Sequence, residues 1–251
     1  MHDTASPLRA LYRRDSKHSS YQQVHPMVAP LLGAAPDLPA GKLEAQRQQF
    51  FARHVDYAGA HVLDIGANTG YFSFAAVQAG AAAVQAYEGN AAHAEFIRSA
   101  AAQLGVADRL HVHPRYFSFA PGGERHDIGL CLNVLHHLGD DFGDRTLTIE
   151  QARRCMVDSL RTMADGVATL ILQIGFNWKG DVRYPLFAGG EKAALVDFVQ
   201  QGAAAAWSVV AIAVPDAATG AYEALSSRNL ARNDAIGEFR NRPVFVLRSC
   251  R

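Results

Sequence analysis

The sequence is poor in the features that mark secreted, membrane-bound or nucleic-acid-coating proteins. It has three cysteines, Cys131, Cys155 and Cys250. The number is odd and no spacing resembles CxxC or a zinc motif, so neither a disulfide framework nor a metal site is expected. Free thiols suit a reducing compartment. No apolar run reaches the ~18 residues needed to span a bilayer. Residues 1–20 are polar and carry no apolar run, so no export signal is expected. A cytoplasmic location without a membrane span is therefore expected. There is no surplus of charge either, since 24 Lys and Arg balance 24 Asp and Glu. Phosphate binding is mostly electrostatic, so nucleic acid is not expected as an obligatory partner. Internal repeats are absent, and the alanine tracts at 81–83, 100–102 and 203–206 read as helix and turn composition.

What is present is an ordinary globular composition over 251 residues, 49% of them hydrophobic. That length fills one large α/β domain or two small ones and can bury a core without staples. Residues 1–59 stand apart. They hold polar turns, the Pro-rich segment Pro26–Pro39 and a predicted helix from about Leu43 to Val55. We read them as an N-terminal extension that caps the active face of a domain spanning 60–251. From residue 60 strands and helices alternate. The runs "HVLDIG", "AVQAYE", "RLHVH", "DIGLCLNV" and "VATLILQIG" read as buried strands, with helices over 70–80, 91–104, 149–164 and 191–202. "WSVVAIAV" and "RPVFVLRS" follow as two closing strands with no full helix between them, which suggests an antiparallel edge. The alternation predicts an α/β fold with a mostly parallel sheet of seven strands and helices on both faces.

The strongest signal is "HVLDIGANTGYFSF" at 61–74: strand, Asp64, Gly66, a tight loop, Gly70, helix. In open parallel sheets ligands sit at the carboxyl ends of the strands. Gly66 and Gly70 let backbone approach a ligand, and Ala67 and Asn68 lie between them. The helix after Gly70 offers unpaired N–H groups. Glu88, in "YEGN" with Gly89, ends the second strand 24 positions after Asp64. A carboxylate there accepts ribose hydroxyls of an adenosine cofactor. A dinucleotide would call for G-x-G-x-x-G, but Asn68 stands where the second glycine would admit a pyrophosphate. S-adenosylmethionine (SAM) has no pyrophosphate and tolerates a side chain at that position.

"VLDIGANTGYFSF", "YEGN" and "LCLNVLHHL" resemble motifs I, II and IV of class I SAM-dependent methyltransferases, over about residues 60–175. The resemblance implies the Rossmann-like fold of that class, SAM as cofactor and a transferase activity. More narrowly, the chain resembles the methyltransferase domain of bacterial O-antigen chain-terminating enzymes. The shared features are Tyr21 and Gln22, Arg47 before the first strand, the His pair, and Arg242–Pro243 opening the last strand. That likeness implies that Tyr21, Gln22 and Arg47 contact SAM. In that family a kinase domain follows, and none is expected here. Arg47 also has a chemical argument, because SAM carries a free carboxylate and arginine binds carboxylates bidentately. The alternative is a solvated helix arginine.

Methyl transfer to a high-pKa nucleophile needs a general base. "NVLHHLGDDFGD" at 133–144 is the expected place, with His136 or His137 as the base. Ordering the loop or capping a helix is the alternative for the pair. The aspartates beside them read as solvated or capping groups rather than metal ligands, so no metal is expected. The resemblance implies that Asn133, opening this loop, contacts SAM or the substrate. Phe117, after the third strand where the adenine should stack, is a candidate for the cofactor, with a core position as the alternative. Three segments are candidates for the acceptor side: 16–22; 175–187 with Trp178, Lys179, Arg183 and Tyr184; and 222–242 with Arg228 and Arg242. Their cations suit an anionic acceptor, unless they are simply a solvated surface. The function expected is methyl transfer to an oxygen or nitrogen of a small molecule or glycan. Alternatives are an RNA or protein methyltransferase, or an inactive SAM-binding partner subunit. The zero net charge and the absence of an N-P-P-Y-like motif weigh against RNA or protein. The intact Asp64, Gly66 and Glu88 weigh against the inactive subunit.

Overall fold

The computed structural model describes residues 7–13, 21–33 and 41–251. Most of the 16–22 acceptor segment and the end of the Pro-rich stretch lie outside these residues. The chain divides into two compact units, Met1–Phe117 and Ser118–Arg251.

In the first unit β1 (His61–Ile65), β2 (Ala83–Tyr87) and β3 (Leu110–His113) form a parallel sheet with β2 in the middle. His61 lies opposite Ala83, Ile65 opposite Tyr87 and Val84 opposite Leu110. Val62 to Ile65 are all buried, as a continuous apolar run in a doubly covered strand requires. Among the described residues the unit also holds four α-helices: α1 (Pro7–Tyr12), α2 (Glu44–Phe51), α3 (Tyr71–Gln78) and α4 (Ala91–Gln103). Helix α3 is buried from Tyr71 to Val77, apolar almost all round because it lies in the core. Asn90 caps α4, its Oδ1 accepting from the amides of Ala92 at 2.9 Å and His93 at 3.2 Å. Gly70, at φ 80°, sits so close to α4 that a Cβ there would meet Ile97 at 3.0 Å. Helix α2 ends at Phe51, short of the predicted Val55. It packs on α3 through Phe51 and Phe72, whose rings are 5.3 Å apart. Helix α1 packs on α4, with Tyr12 and Phe96 5.5 Å apart.

The second unit holds β4 (His126–Leu132), α5 (Ile149–Gly166), β5 (Val167–Gln173), α6 (Lys192–Ala203), β6 (Trp207–Pro215), β7 (Tyr222–Ala224) and β8 (Val244–Ser249). β4 and β5 run parallel, and β5–β8, β8–β6 and β6–β7 are antiparallel. Among the described residues the strands therefore number eight where the sequence predicts seven. The extra one, β7, is three residues long and too short to show a period. The closing strands are antiparallel as expected, but β8 lies between β5 and β6 rather than at the edge. Its run from Val244 to Leu247 is fully buried, which an interior position demands. Helix α5 opens with a capping box, Thr148 and Gln151 bonding each other's backbone amides. It buries Ala152, Met156, Leu160 and Met163 along one stripe. Among the described residues no helix is long and apolar enough to cross a membrane.

Candidate functional site

The loop between β1 and α3 is held by β2 and by the residues that follow it. Gly66, Asn68 and Gly70 all have positive φ, at 72°, 54° and 80°. Asparagine is among the few non-glycine residues that tolerate this region. The amides of Gly66 and Ala67 donate to the Tyr87 carbonyl at 2.9 and 3.1 Å, fastening the loop to the end of β2. Glu88 completes the fastening. Its Oε2 accepts from the Asn68 amide and its Oε1 from the Asn90 amide, both at 2.7 Å. The carboxylate is buried. Gly89 leaves room for the Tyr116 ring, which a Cβ there would overlap. Tyr87 stacks on His113 with centroids 4.4 Å apart, and Phe117 meets Tyr87 edge-on at 5.0 Å. Phe117 thus lies at the same end of β2 as Glu88.

Asp64 faces inward. Its Oδ2 accepts from the Ser73 hydroxyl at 2.6 Å, tying β1 to α3. Burial pushes its carboxyl up to about 6, against the Ser73 bond, which favours the ionised form. Burial, with a smaller contribution from the neighbouring Asp64 charge, pushes the Tyr57 phenol upward. Gln22, assigned from resemblance to the cofactor, has its Oε1 engaged elsewhere. That oxygen accepts from the Tyr71 amide at 3.0 Å and from the Thr69 hydroxyl at 3.1 Å. Tyr21 beside it is half-buried. Arg47 is no solvated helix arginine, being 1% exposed. Its Nη2 lies 3.4 Å from Glu44 and its guanidinium 4.8 Å from the centre of the Phe72 ring. Glu44 and Arg47 act in opposite directions on Tyr71, whose phenol is raised mainly by burial. Ser73, Thr69, Asn90 and Glu44 were not singled out in the sequence. Asn90, directly before an alanine-rich helix, carried a readable capping signal; the other three carried none.

In the second unit Asn133 follows β4 at φ 62°. Its amide donates to the Gln173 carbonyl at 2.7 Å and its Nδ2 to Gln173 Oε1 at 3.0 Å. Its Oδ1 accepts from Arg242 Nη1 at 2.7 Å. Arg242 also grips Glu238 with Nε and Nη2, the shortest distance being 2.6 Å. Gln173 and Glu238 were missed, although Glu238 lies one helical turn before Arg242. His136 is 1% exposed and its Nδ1 accepts the Gly175 amide at 3.1 Å. A ring that accepts at Nδ1 is neutral and carries its proton on Nε2. His137 is half-buried with Nδ1 3.3 Å from Asp141. Ligand-type atoms of His137, Asp140 and Asp141 lie within 4.8 Å of one another.

The acceptor-side candidates fall apart into groups. Trp178 donates its Nε1–H to the Leu138 carbonyl at 2.7 Å. Lys179 lies over the Trp178 ring at 4.1 Å, and Tyr184 meets that ring edge-on at 6.2 Å. Arg183 is exposed and forked onto Asp181, whose carboxyl it holds down to about 2. Arg242 belongs to the Asn133 cluster instead. Arg228 is exposed, and among the described residues no bond ties it to either group.

No family model matches the chain, and no curated protein matches it. Solved structures do. Magnesium protoporphyrin IX methyltransferase from Synechocystis, with bound SAM, is 15% identical, with 82% of this chain and 80% of that one covered at a TM-score of 0.51. A protein from Listeria monocytogenes provisionally assigned as a SAM-dependent methyltransferase is 10% identical, with 82% and 99% covered at 0.50. A Streptococcus thermophilus protein provisionally assigned as a hemolysin is 13% identical, with 86% and 68% covered at 0.52. The chain has the fold of class I SAM-dependent methyltransferases. The narrower likeness to O-antigen chain-terminating enzymes finds no support in these comparisons.

Proposed function

We propose that the protein is a SAM-dependent methyltransferase acting on an oxygen or nitrogen of a small-molecule or glycan acceptor. One observation carries the reading. Glu88 is fixed at the end of β2 by one backbone amide on each carboxylate oxygen, 2.7 Å each. The two vicinal hydroxyls of a ribose are two donors side by side, which such a carboxylate accepts without moving. A pyrophosphate fits less well. Asn68 occupies the loop, and the first amide of α3, that of Tyr71, is already bonded to Gln22. The N-terminus that a dinucleotide would use is thus capped from within the chain.

When bound, SAM supplies a methyl group activated by its sulfonium, so the protein contributes orientation and proton handling. In the second unit His137 is the better base. Its Nδ1 lies 3.3 Å from Asp141, a carboxylate that orients the ring and stabilises its protonated form. His136 has given its Nδ1 to the Gly175 amide and holds the β5 end against the loop. Lys179 and Tyr184, which lie against the buried Trp178 ring, form a cationic and aromatic surface suited to a ring or sugar face. Because Arg183 and Arg242 are committed to carboxylates, an anionic acceptor would rely on Lys179 and Arg228. The free cysteines support a cytoplasmic setting.

Calorimetry tests the cofactor assignment. S-adenosylhomocysteine should bind and NAD should not, and tighter binding of NAD would overturn it. Transfer of labelled methyl from SAM into a cell lysate would then give the class of acceptor.

A further inference from the structure

Helix α3 begins with an amide that its own chain neighbours do not cap. The first amides of a helix lack intrahelical partners, and the residue in the capping position here is Gly70, which has no side chain. The missing acceptor comes from 49 residues upstream, where Gln22 Oε1 meets the Tyr71 amide at 3.0 Å. The same oxygen accepts from the Thr69 hydroxyl at 3.1 Å. Thr69 is the neighbour of Asn68, whose own amide donates to Glu88. One glutamine oxygen therefore grips the far side of the loop whose near side holds the candidate ribose ligand. The segment carrying it is packed down rather than trailing. Gln22 is 7% exposed, and Val24, His25, Val28 and Leu32 are buried. His25 lies edge-on to Tyr71 at 5.0 Å, and the Gln23 amide reaches Glu44.

We infer that Gln22 is a positioning residue for the cofactor site. Acting through Thr69 and Tyr71, it holds the Gly66–Gly70 loop in the conformation in which the Asn68 amide meets Glu88. Docking of the N-terminal segment and binding of the cofactor are thereby coupled, and by linkage each favours the other. The inference rests on the reading of Glu88 as the ribose ligand. It differs from direct contact in the polarity it demands of residue 22. A residue that touched the cofactor carboxylate would have to donate, whereas the cap needs only an acceptor.

Two substitutions separate these roles. Gln22→Leu removes the acceptor. Gln22→Glu keeps an oxygen for both donors and adds a negative charge that a helix N-terminus favours. Titration calorimetry with S-adenosylhomocysteine, run well below the melting temperature of each variant, should show Gln22→Leu weakened roughly tenfold or more, the loss of two ordinary hydrogen bonds. Gln22→Glu should stay within about threefold of the parent, since its bonds are retained. Thr69→Val deletes one of the two donors and should lie in between; it carries the test if Gln22→Leu does not fold. Unchanged affinity in Gln22→Leu, or in Thr69→Val, overturns the inference. So does a Gln22→Glu as weak as Gln22→Leu, which would mean that residue 22 donates to the cofactor. Failure of the parent protein itself to bind S-adenosylhomocysteine would instead bring down the reading of Glu88 and this inference with it.

Discussion

Replacing Asp64 by asparagine should stabilise the protein at neutral pH while weakening its hold on the cofactor. Asp64 is buried, and although the hydroxyl and the backbone amide of Ser73 both favour its charge, burial outweighs them and its carboxyl sits at about 6 instead of 3.8. Each tenfold change in proton affinity is worth ~1.4 kcal/mol, so the ionised side chain costs ~3 kcal/mol of folding free energy at neutral pH. The sign follows from where the proton binds. The folded state holds it more tightly than the unfolded chain. The associated stability is complete below about pH 4 and is lost as the pH rises through about 6. Asparagine is neutral throughout and still accepts the Ser73 hydroxyl. Urea denaturation of both proteins between about pH 4 and 8 should give curves that diverge with rising pH, the variant ending ~1–3 kcal/mol more stable. Carboxylates elsewhere, such as those of Asp181 and Asp216, bend both curves alike and cancel in the difference. Parallel curves across that range would refute the argument, because a buried charge with so little compensation cannot be free. If cofactor binding uses the ionised form, the stabilised variant should also bind S-adenosylhomocysteine more weakly. A buried charge kept at a cost to folding is the pattern expected of a functional position.

Four further outcomes are expected. Glu88→Ala should weaken S-adenosylhomocysteine binding by ~1.5–3 kcal/mol, because it removes a charged acceptor from the site and from the amides of Asn68 and Asn90; unchanged affinity by calorimetry would mean the cofactor lies elsewhere. His137→Ala should lose roughly 10²–10⁴-fold in turnover with cofactor binding intact, the deficit shrinking as pH rises and the acceptor ionises unaided. His136→Ala should chiefly lose stability, by ~2–4 kcal/mol, since it empties a buried site and orphans the Gly175 amide; the two variants behaving alike in both assays would sink the distinction. Turnover should survive dialysis against a chelator even though His137, Asp140 and Asp141 cluster, and a loss restored by a divalent cation would show that the cluster is a metal site.

By itself the sequence determined the α/β class and the position of the loop between β1 and α3. It also fixed Glu88 at the end of β2. These are local matters. Buried strands must be continuous apolar runs, tight loops with positive φ draw on glycine and asparagine, and a strand end is marked where the run stops. The antiparallel pairing of the closing strands was legible for the same reason, from the missing helix between them. Tertiary structure alone decided which polar atom each candidate meets. Nothing in the string joins Gln22 to Tyr71 or Asp64 to Ser73. Nor could periodicity tell two adjacent histidines apart, yet one accepts the Gly175 amide and the other faces Asp141. The arginines of the last segment read as a basic surface until the fold paired Arg242 with Glu238 and Asn133. Strand β8 entered between β5 and β6 because a strand with two apolar faces is stable only where both are covered. Hydrogen bonds act over about 3 Å, and the residues that make these ones lie 4 to 109 positions apart along the chain. Only the folded path of the backbone sets which of them come within reach.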